Sequence, residues 1–513
     1  MAKQLFNSSE KSNFILNLTE EKFSKMAARG LLAACFMTSL FTIVPECTDS
    51  GFYTIVSGGL VIAGVYCMIM ALIALIKGYV EKRVLFPVIS FGVMVVWGIV
   101  SLINSYDTMV SLYGFSGRGE GLLAILFYCC IFITGISIRR EKALFTLITG
   151  IIGAGVLNSV WGLIQVFTGK LSNYKYIALE IEARAASGLS QSPLFLAMFL
   201  SLSLTAALLG AVLFESKKKR TLSVVSACLI SLTMVFTYSL IGWCGLGFAV
   251  LAAAVTVFAS KAPKSRLSVL LAAAVPAALG VVLVQAGLIG NIGGYRLYDG
   301  RILWWADSYY RLSSSGEPDT SVVDLDDTYD VYYTLNSKTM NIISNFPLTG
   351  TGPEQLVYPQ IYNDSAAQGV DTDDLRNIII NNRGTFDKTY NEYLYSAATK
   401  GIPSAIALGL VLLSALILGY RNMKRKNSAT GPILFALTLC GTLLFLIGCS
   451  NTAFSPVFWA AAGAGCVELN RKEPKAEKKE VKTVKKDAKT EKKEVKTEKK
   501  EVKPKKKSKK SKK

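Results

Sequence analysis

The amino-acid sequence predicts an all-α polytopic membrane protein with about twelve transmembrane helices and one large external loop. Three observations predict it. Hydrophobic residues make up 51% of the 513 residues and are concentrated in runs long enough to cross a bilayer. Clusters of Lys and Arg occur in alternate connections between these runs. A polar stretch from about residue 290 to 390 interrupts the apolar pattern once.

Twelve apolar segments are candidate transmembrane helices. Nine of them precede the polar stretch, at residues 26–45, 55–76, 84–104, 121–138, 143–168, 193–214, 221–239, 241–260 and 267–289. Three follow it, at residues 391–419, 431–448 and 452–468. The seventh and eighth are separated only by SLIG (239–242), so a re-entrant or broken pair of helices is an alternative there and would change the count.

The distribution of cations predicts which side of the membrane each connection faces. Lys and Arg in short loops stay on the cytoplasmic side. Here they are concentrated in KGYVEKR (77–83), RREK (139–142), KKKR (217–220), KAPKSR (261–266) and RNMKRK (421–426). We therefore expect the N-terminus (1–25) and the C-terminus to be cytoplasmic, and the polar stretch (290–390) to be extracytoplasmic.

The polar stretch contains one clear helical pattern. In YRLYDGRILWWADSYYRL (295–312), Arg301, Trp305 and Tyr309 recur every four residues and share one face of an amphipathic helix. Trp and Tyr favour the headgroup layer, so we expect this helix to anchor the stretch at the outer interface. The alternative is that these aromatic side chains also flank a bound sugar or lipid.

The C-terminal tail (469–513) carries most of the net charge. Residues 471–513 hold 22 Lys and Arg and 8 Asp and Glu, so +14 of the chain's formal +20 lies there. Its repeated EKKEVKT pattern is too poor in apolar residues to pack a core, so we expect disorder. Lysines beside a membrane attract anionic lipids, which are the tail's expected partner. Nucleic acid is not expected, because the tail has no aromatic residue on which bases stack.

The chain contains no histidine, so proton transfer near neutral pH has no imidazole to use. All ten cysteines lie in or beside apolar segments, where a thiol behaves as a small hydrophobe. The spacings of Cys and His that are typical of metal sites do not occur. We therefore expect neither a metal nor a cofactor.

Charged residues at the outer ends of membrane helices are expensive unless they have partners, so they mark candidate sites. In GRGEG (117–121), Arg118 and Glu120 flank a glycine, which places a guanidinium where an anionic headgroup would lie. The alternative is an interfacial turn whose charge pair satisfies itself. In EARAASGLSQSP (182–193), Arg184 precedes a helix N-terminus, a combination that suits a phosphate.

Two further segments follow the polar stretch or lie within it. In NFPLTGTGPEQL (345–356), the glycines at 350 and 352 would expose backbone amides to an oxyanion. DKTYNEYL (387–394) combines acidic, basic and amide side chains at the start of an apolar segment, namely Asp387, Lys388, Tyr390, Asn391 and Glu392. This group is either a site or a helix cap with a salt bridge.

The order of these segments resembles that of the O-antigen ligase and O-antigen polymerase superfamily of bacterial envelope proteins. The resemblance covers residues 25–468 and is carried by GRGEG, by NSVWGLIQVF (158–167), by the R…G…P spacing of 184–193, by the R…W…P…G.G pattern over 301–352 and by NEYL…GIP over 391–403. It implies a GT-C-like fold and a metal-independent glycosyltransferase of the bacterial plasma membrane that acts in cell-surface polysaccharide biosynthesis.

The resemblance also implies a reaction and its partners. A glycan would leave an undecaprenyl-diphosphate carrier and join an acceptor hydroxyl of a glycan, a lipid or a protein on the outer face. The arginines Arg118, Arg184 and Arg301 would contact the diphosphate. Glu120 and Asn391 would contribute to substrate binding.

Two positions depart from the family pattern. Tyr390 stands where many members have a His directly before the Asn, and Leu240 in SLIGW (239–243) stands where an SRGAW-like segment has Arg. Three interpretations follow. Asp387 or Glu392 is the catalytic base, or Tyr390 orients an acceptor that needs little base, or the chain is a degenerate homologue that binds lipid-linked glycan without turnover. A transporter or flippase of lipid-linked sugars is a further alternative, although transporters usually bury polar groups at the midplane of broken helices.

Overall fold

The computed structural model describes ten stretches of the chain, residues 18–40, 55–114, 119–168, 185–190, 192–237, 239–260, 263–285, 328–359, 388–424 and 429–468. These residues are about 80% helical and contain no strand, which confirms the all-α class. They belong to one compact unit that ends at Val467, apart from the final residue. The predicted amphipathic helix (295–312), the first 17 residues and the predicted tail (469–513) lie outside the described residues.

The α-helices of the described chain are numbered here in sequence order. Before the polar stretch they are α1 (Glu20–Leu40), α2 (Ile55–Ile76), α3 (Leu85–Val100), α4 (Thr108–Tyr113), α5 (Leu122–Ile136), α6 (Glu141–Thr168), α7 (Pro193–Leu213), α8 (Lys217–Val235), α9 (Leu240–Ala259) and α10 (Ala274–Gln285). The polar stretch contains α11 (Thr328–Asn345). After it come α12 (Glu392–Lys400), α13 (Ile402–Met423), α14 (Thr430–Leu444) and α15 (Ser455–Gly465).

Seven helical segments are long and apolar enough to cross a membrane, which is typical of a membrane-embedded protein. They are Gly59–Ile76, Lys82–Asn104, Glu141–Thr168, Pro193–Leu213, Leu240–Ala259, Arg266–Leu283 and Ile402–Met423. Helices occupy parts of all twelve predicted segments, but the others are shorter or less apolar. The number twelve therefore stays a prediction.

The segment predicted as one helix over 391–419 is divided at Gly401, so the prediction of a continuous helix is wrong there. Gly401 has φ +81°, and a Cβ at this position would overlap the carbonyl oxygen of Leu348. The amide of Ile402 donates to the carbonyl of Pro347 at 2.8 Å. The neighbouring backbone packs against this break, and Pro403 in the first turn of α13 has no amide N–H with which to continue α12. Hydropathy registers neither feature.

Helix α7 lies at the centre of the described bundle. It packs against α6, α8, α9 and α14, and 19 of its 21 residues are buried. In contrast, α2, α3 and α13 turn large apolar side chains outward, and Ile62, Phe86 and Ile406 are each more than half exposed. An apolar surface of this extent suits lipid rather than water.

Connections between helices gather at the two ends of α5. At its C-terminal end, Arg139 donates to the carbonyl of Tyr79 at 2.6 Å, and Arg140 lies 3.5 Å from Glu20. This region is called the basic end and comprises Glu20, Tyr79, Glu81, Arg83, Arg139 and Arg140. At the N-terminal end of α5, segments around residues 120, 354, 390 and 450 meet. The basic end belongs to loops that the sequence predicts to be cytoplasmic, and this orientation stays a prediction.

Candidate functional site

The structure places half of the sequence-predicted site residues. Glu120, Tyr390, Asn391 and Glu392 lie within the described residues. Arg118, Arg184, Arg301 and Asp387 lie outside them, so their positions and roles stay predictions.

Ser450, in the connection between α14 and α15, joins three segments that are far apart in sequence. Its hydroxyl donates to Oε2 of Glu120 at 2.7 Å, across 330 residues. Its backbone amide donates to Oε2 of Glu392 at 2.8 Å, and its carbonyl accepts from Nζ of Lys388 at 3.1 Å. The GRGEG turn and the DKTYNEYL segment, which the sequence indicated separately, therefore meet at one residue.

Two buried ion pairs extend this meeting point. Nζ of Lys388 lies 3.3 Å from Oε1 of Glu354, and Nζ of Lys400 lies 3.7 Å from Oε1 of Glu392. The Tyr395 side chain contacts both pairs. Its hydroxyl donates to Oε1 of Glu354 at 2.7 Å. The two ammonium groups lie 5.3 and 5.8 Å from the centre of the Tyr395 ring, within the range of a cation–π interaction.

The five ionisable residues Glu120, Glu354, Lys388, Glu392 and Lys400 are called the charged cluster. Each is between 1% and 8% exposed. Three carboxylates and two ammonium groups give a net charge of −1 when all are ionised. Burial raises the pKa of the Glu120 carboxyl above its ordinary value of 4.5, and the Lys388 charge opposes this shift. Buried charges cost free energy, so a group of this size is a candidate functional site.

Glycines position Glu120 ahead of α5. Gly119 has φ +65°, a left-handed conformation that favours glycine. A Cβ on Gly114, at the end of α4, would overlap the backbone amide of Glu120. The turn therefore lies directly against the end of α4, and the Glu120 side chain reaches the hydroxyls of Tyr128 and Ser450.

Glu354 has an unusual backbone. Its φ is +61°, and it is the one non-glycine residue with positive φ in the part of the chain that the structure describes. This conformation costs on the order of 1–3 kcal/mol and is maintained only by its surroundings. The next side chain supplies such support, because Gln355 accepts from the amide of Asp107 at 3.2 Å and donates to its carbonyl at 2.9 Å.

Asn391 is the N-cap of α12. Its side-chain oxygen accepts from the amides of Tyr393 at 3.0 Å and Leu394 at 3.1 Å, and its Nδ2 donates to the carbonyl of Leu446 at 3.3 Å. The cap interpretation is confirmed for this residue, and its role in substrate binding stays a prediction. Tyr390, directly before it, is 7% exposed and lies beside the charged cluster in sequence.

The glycine-rich segment 345–356 does not present its amides to a ligand, and that prediction is wrong. The amide of Gly350 donates to Phe346 at 2.9 Å, and the amide of Gly352 donates to the carbonyl of Thr399 at 2.8 Å. The amide of Thr351 donates to Ala398 at 3.1 Å. These amides connect the segment to α12 and thereby position Glu354 beside Lys388.

The NSVWGLIQVF motif supports the segment that follows Arg184. Oδ1 of Asn158 accepts from the amide of Leu189 at 3.0 Å. Oε1 of Gln165 accepts from the amides of Ser187 at 3.0 Å and Gly188 at 2.8 Å. Two side chains about two turns apart on the same face of α6 therefore fix residues 187–189 ahead of α7.

Sequence reasoning missed three members of this site. Lys400 was visible only as the first letter of KGIP, and Glu354 only as a residue after two glycines. Ser450 is a serine between two apolar segments, with no pattern around it that points to chemistry. Charge near a helix break was the available signal for Lys400, since a charged residue beside a membrane helix needs a partner.

Comparison with known proteins gives no assignment, because neither a family model nor a curated protein matches the chain. Among the described residues, no group of three or more His, Cys, Asp or Glu side chains is arranged to hold a metal ion. The groups that the described site offers are the carboxylates and ammonium groups of the charged cluster and the hydroxyls of Tyr128, Tyr395 and Ser450.

Proposed function

We propose that the chain is an O-antigen ligase-like glycosyltransferase of the bacterial plasma membrane. It moves a glycan from an undecaprenyl-diphosphate carrier to an acceptor hydroxyl of a glycan, a lipid or a protein on the outer face. This reaction belongs to cell-surface polysaccharide biosynthesis. The proposal includes a GT-C-like arrangement of about twelve transmembrane helices, cytoplasmic termini and an external polar stretch.

The charged cluster is the observation that carries the proposal. It joins the GRGEG turn, the residue Glu354 just after the G.G pattern and the NEYL segment through Ser450. These are segments on which the family resemblance depends, although they are up to 330 residues apart. Well-packed apolar residues would often be as stable as buried ion pairs, so stability alone is a weak reason for the cluster.

The side chains suit glycosyl transfer without a metal. A carboxylate takes the proton of the acceptor hydroxyl while the acceptor oxygen bonds to the anomeric carbon of the donor sugar. The bond from that carbon to the carrier phosphate breaks, and the diphosphate leaves with its electron pair. Arg118, Arg184 and Arg301 are proposed to bind the departing diphosphate. Glu392 and Asp387 are the proton acceptors that the sequence predicts, and Tyr390 would orient the substrate hydroxyl that receives the glycan.

Release of undecaprenyl diphosphate from full-length protein in lipid vesicles tests the proposal. The vesicles contain undecaprenyl-diphosphate glycans of several compositions and candidate acceptors. We expect release by the wild type, and a rate about 10²-fold lower for Glu392→Gln, because this change breaks the pair with Lys400. Glu21→Gln is the matched control, since Glu21 is an exposed glutamate paired with Lys25 in α1. Absence of release with every donor would contradict the proposal.

Transport of lipid-linked sugars is the second candidate, and the break at Gly401 favours it. Transporters often place binding groups at discontinuous helices. Here α12 stops at Lys400, whose ammonium group pairs with the buried Glu392. The transferase is preferred because Glu120 and Ser450 lie in connections beyond the ends of α5, α14 and α15.

The same vesicles distinguish these candidates. A fluorescent lipid-linked sugar and a membrane-impermeant quencher report movement between leaflets, while carrier diphosphate reports transfer. Movement without diphosphate release would favour the transporter. Retained donor binding with neither movement nor release would indicate a degenerate homologue that binds lipid-linked glycan.

A further inference from the structure

The three carboxylates of the charged cluster differ in the groups that donate to them. Glu392 faces the Lys400 ammonium group and accepts from a backbone amide. Glu354 faces the Lys388 ammonium group at 3.3 Å and accepts from the Tyr395 hydroxyl. Both of these carboxylates therefore have a cation as a direct partner, which stabilises the ionised form.

Glu120 is different, because hydroxyl groups donate to both of its oxygens. The Tyr128 hydroxyl donates to Oε1, and the Ser450 hydroxyl donates to Oε2 at 2.7 Å. A hydroxyl rotates and can accept a hydrogen bond as readily as it donates one. The Ser450 hydroxyl also lies 2.8 Å from the Ser455 hydroxyl. A protonated Glu120 would therefore donate a hydrogen bond to Ser450, which would in turn donate one to Ser455.

The charge of the cluster favours the uptake of one proton. With all five residues ionised its net charge is −1, and one proton makes it neutral. Burial raises the pKa of the Glu120 carboxyl, and the nearby charge of Glu354 acts in the same direction. Lys388 and the hydroxyls of Tyr128 and Ser450 act in the opposite direction. The Glu392 carboxylate is linked to Glu120 through Ser450, which donates a hydrogen bond to each of them.

We infer that Glu120 is the proton acceptor of the transfer reaction and takes the place of the absent histidine; this inference rests on the proposed function. The acceptor O–H bond breaks and its proton moves to the Glu120 carboxylate. The acceptor oxygen forms the new bond to the anomeric carbon, and the carrier diphosphate departs as an anion. Glu120 then loses the proton to solvent before the next turnover. Glu392 and Lys400 act as positioning residues through Ser450.

A pH profile of transfer in lipid vesicles tests this assignment with full-length protein. For the wild type we expect the rate to rise with pH as Glu120 ionises. Glu120→Gln should lower the rate by about 10²–10⁴-fold and abolish that rise, while binding of the undecaprenyl-diphosphate glycan is retained. Glu21→Gln, at an exposed and distant glutamate, should match the wild type at every pH.

Tyr128→Phe provides a second test. If Glu120 had only a structural role, this substitution would not shift the pH profile of transfer. It keeps the aromatic ring and removes the hydroxyl that donates to Glu120. Loss of this donor destabilises the carboxylate, so the rise in rate should move to higher pH by about one unit. This result does not depend on whether Glu120→Gln folds.

Three outcomes separate the inference from the proposed function. Wild-type release that Glu120→Gln leaves intact, with an unmoved profile in Tyr128→Phe, would overturn the inference and keep the transferase. Loss of release in Glu392→Gln alone would then assign the proton acceptor to Glu392. No release by the wild type with any donor would overturn both.

Discussion

Charged residues from several segments meet at both ends of α5, but they are buried to different extents. At the basic end the paired side chains are partly exposed: those of Arg140 and Glu20 are 34% and 21% exposed, although Nε of Arg140 itself is buried. In the charged cluster the side chains of Lys388 and Glu354 are 9% and 1% exposed, and those of Lys400 and Glu392 are 6% and 7% exposed. The distances within the pairs are similar, so burial is the difference.

This difference is the reason for proposing a functional role for the charged cluster and a structural one for the basic end. A solvated ion pair contributes little, because water and salt screen it and its removal leaves no stranded charge. A buried pair has a large desolvation cost that its attraction only partly offsets. The charged cluster has that cost at the N-terminal end of α5, where segments that are distant in sequence meet. Four predictions test this contrast between the charged cluster and the basic end.

Removal of one buried cation should have the largest effect. Lys388→Met keeps the bulk of the side chain but leaves Glu354 and Glu120 without the ammonium group, so we expect a loss of about 3–5 kcal/mol in the free energy of unfolding. Arg140→Met at the basic end should cost about 1 kcal/mol or less. Thermal or denaturant unfolding of both variants in the same detergent measures the ratio. Equal losses would contradict the contrast.

A methyl group at the helix break should have the next largest effect. Gly401→Ala places a Cβ against the carbonyl oxygen of Leu348 and forces φ +81° on alanine, which should cost about 2–4 kcal/mol. Gly78→Ala is the matched change near the basic end, because Gly78 has φ +66° but no atom within 4 Å of its Cβ position. It should cost only about 1 kcal/mol. Unfolding midpoints of the two variants check this, and a Gly78→Ala loss as large as that of Gly401→Ala would contradict it.

Stability should depend on pH with opposite signs at Glu120 in the charged cluster and at Glu21, the residue that follows Glu20 in α1. The pKa of Glu120 is raised by burial, so its contribution is complete below its ordinary pKa of 4.5 and is lost as the pH rises through the higher folded-state pKa. Glu120→Gln should remove this decline. The pKa of Glu21 in α1 is lowered by its hydrogen bond from Lys25, so its contribution is lost as the pH falls. Unfolding midpoints between about pH 3 and 8 compare Glu120→Gln, Glu21→Gln and wild type, and an unchanged slope in Glu120→Gln would refute the prediction.

The cap of α12 should have the smallest effect. Asn391→Ala removes the acceptor for the amides of Tyr393 and Leu394 and should cost about 1 kcal/mol. Asn391→Ser retains a capping oxygen and should cost a few tenths of that. Unfolding midpoints give the stability, and the transferase assay gives a second readout. Normal stability with lost transfer in Asn391→Ser would instead support the predicted role of Asn391 in substrate binding.

Much of the fold was predictable from the sequence, and the errors occur where distant segments touch. Apolar runs predicted helices in the right places, from α2 over 55–76 to α7 after Pro193. The break at Gly401 was missed because hydropathy alone set the segment, although Gly401 followed by Pro403 is a local signal for a helix break, and the carbonyl of Leu348 packs against it. The amides of Gly350 and Gly352 were predicted to be available to an anion, but they donate to the carbonyls of Phe346 and Thr399, and the contact with Thr399 is one that the local sequence does not reveal.

The candidate site divides in the same way. The sequence by itself determined that the chain is helical and suited to a membrane, that histidine is absent, and that Glu120 and Glu392 are charges needing partners. Only the tertiary structure decided that Ser450 joins them and that Glu354 and Lys400 belong to the same cluster. The physical reason is that helix formation and bilayer partition depend on residues a few turns apart. The balance of buried charge depends on side chains that meet only after the helices have packed.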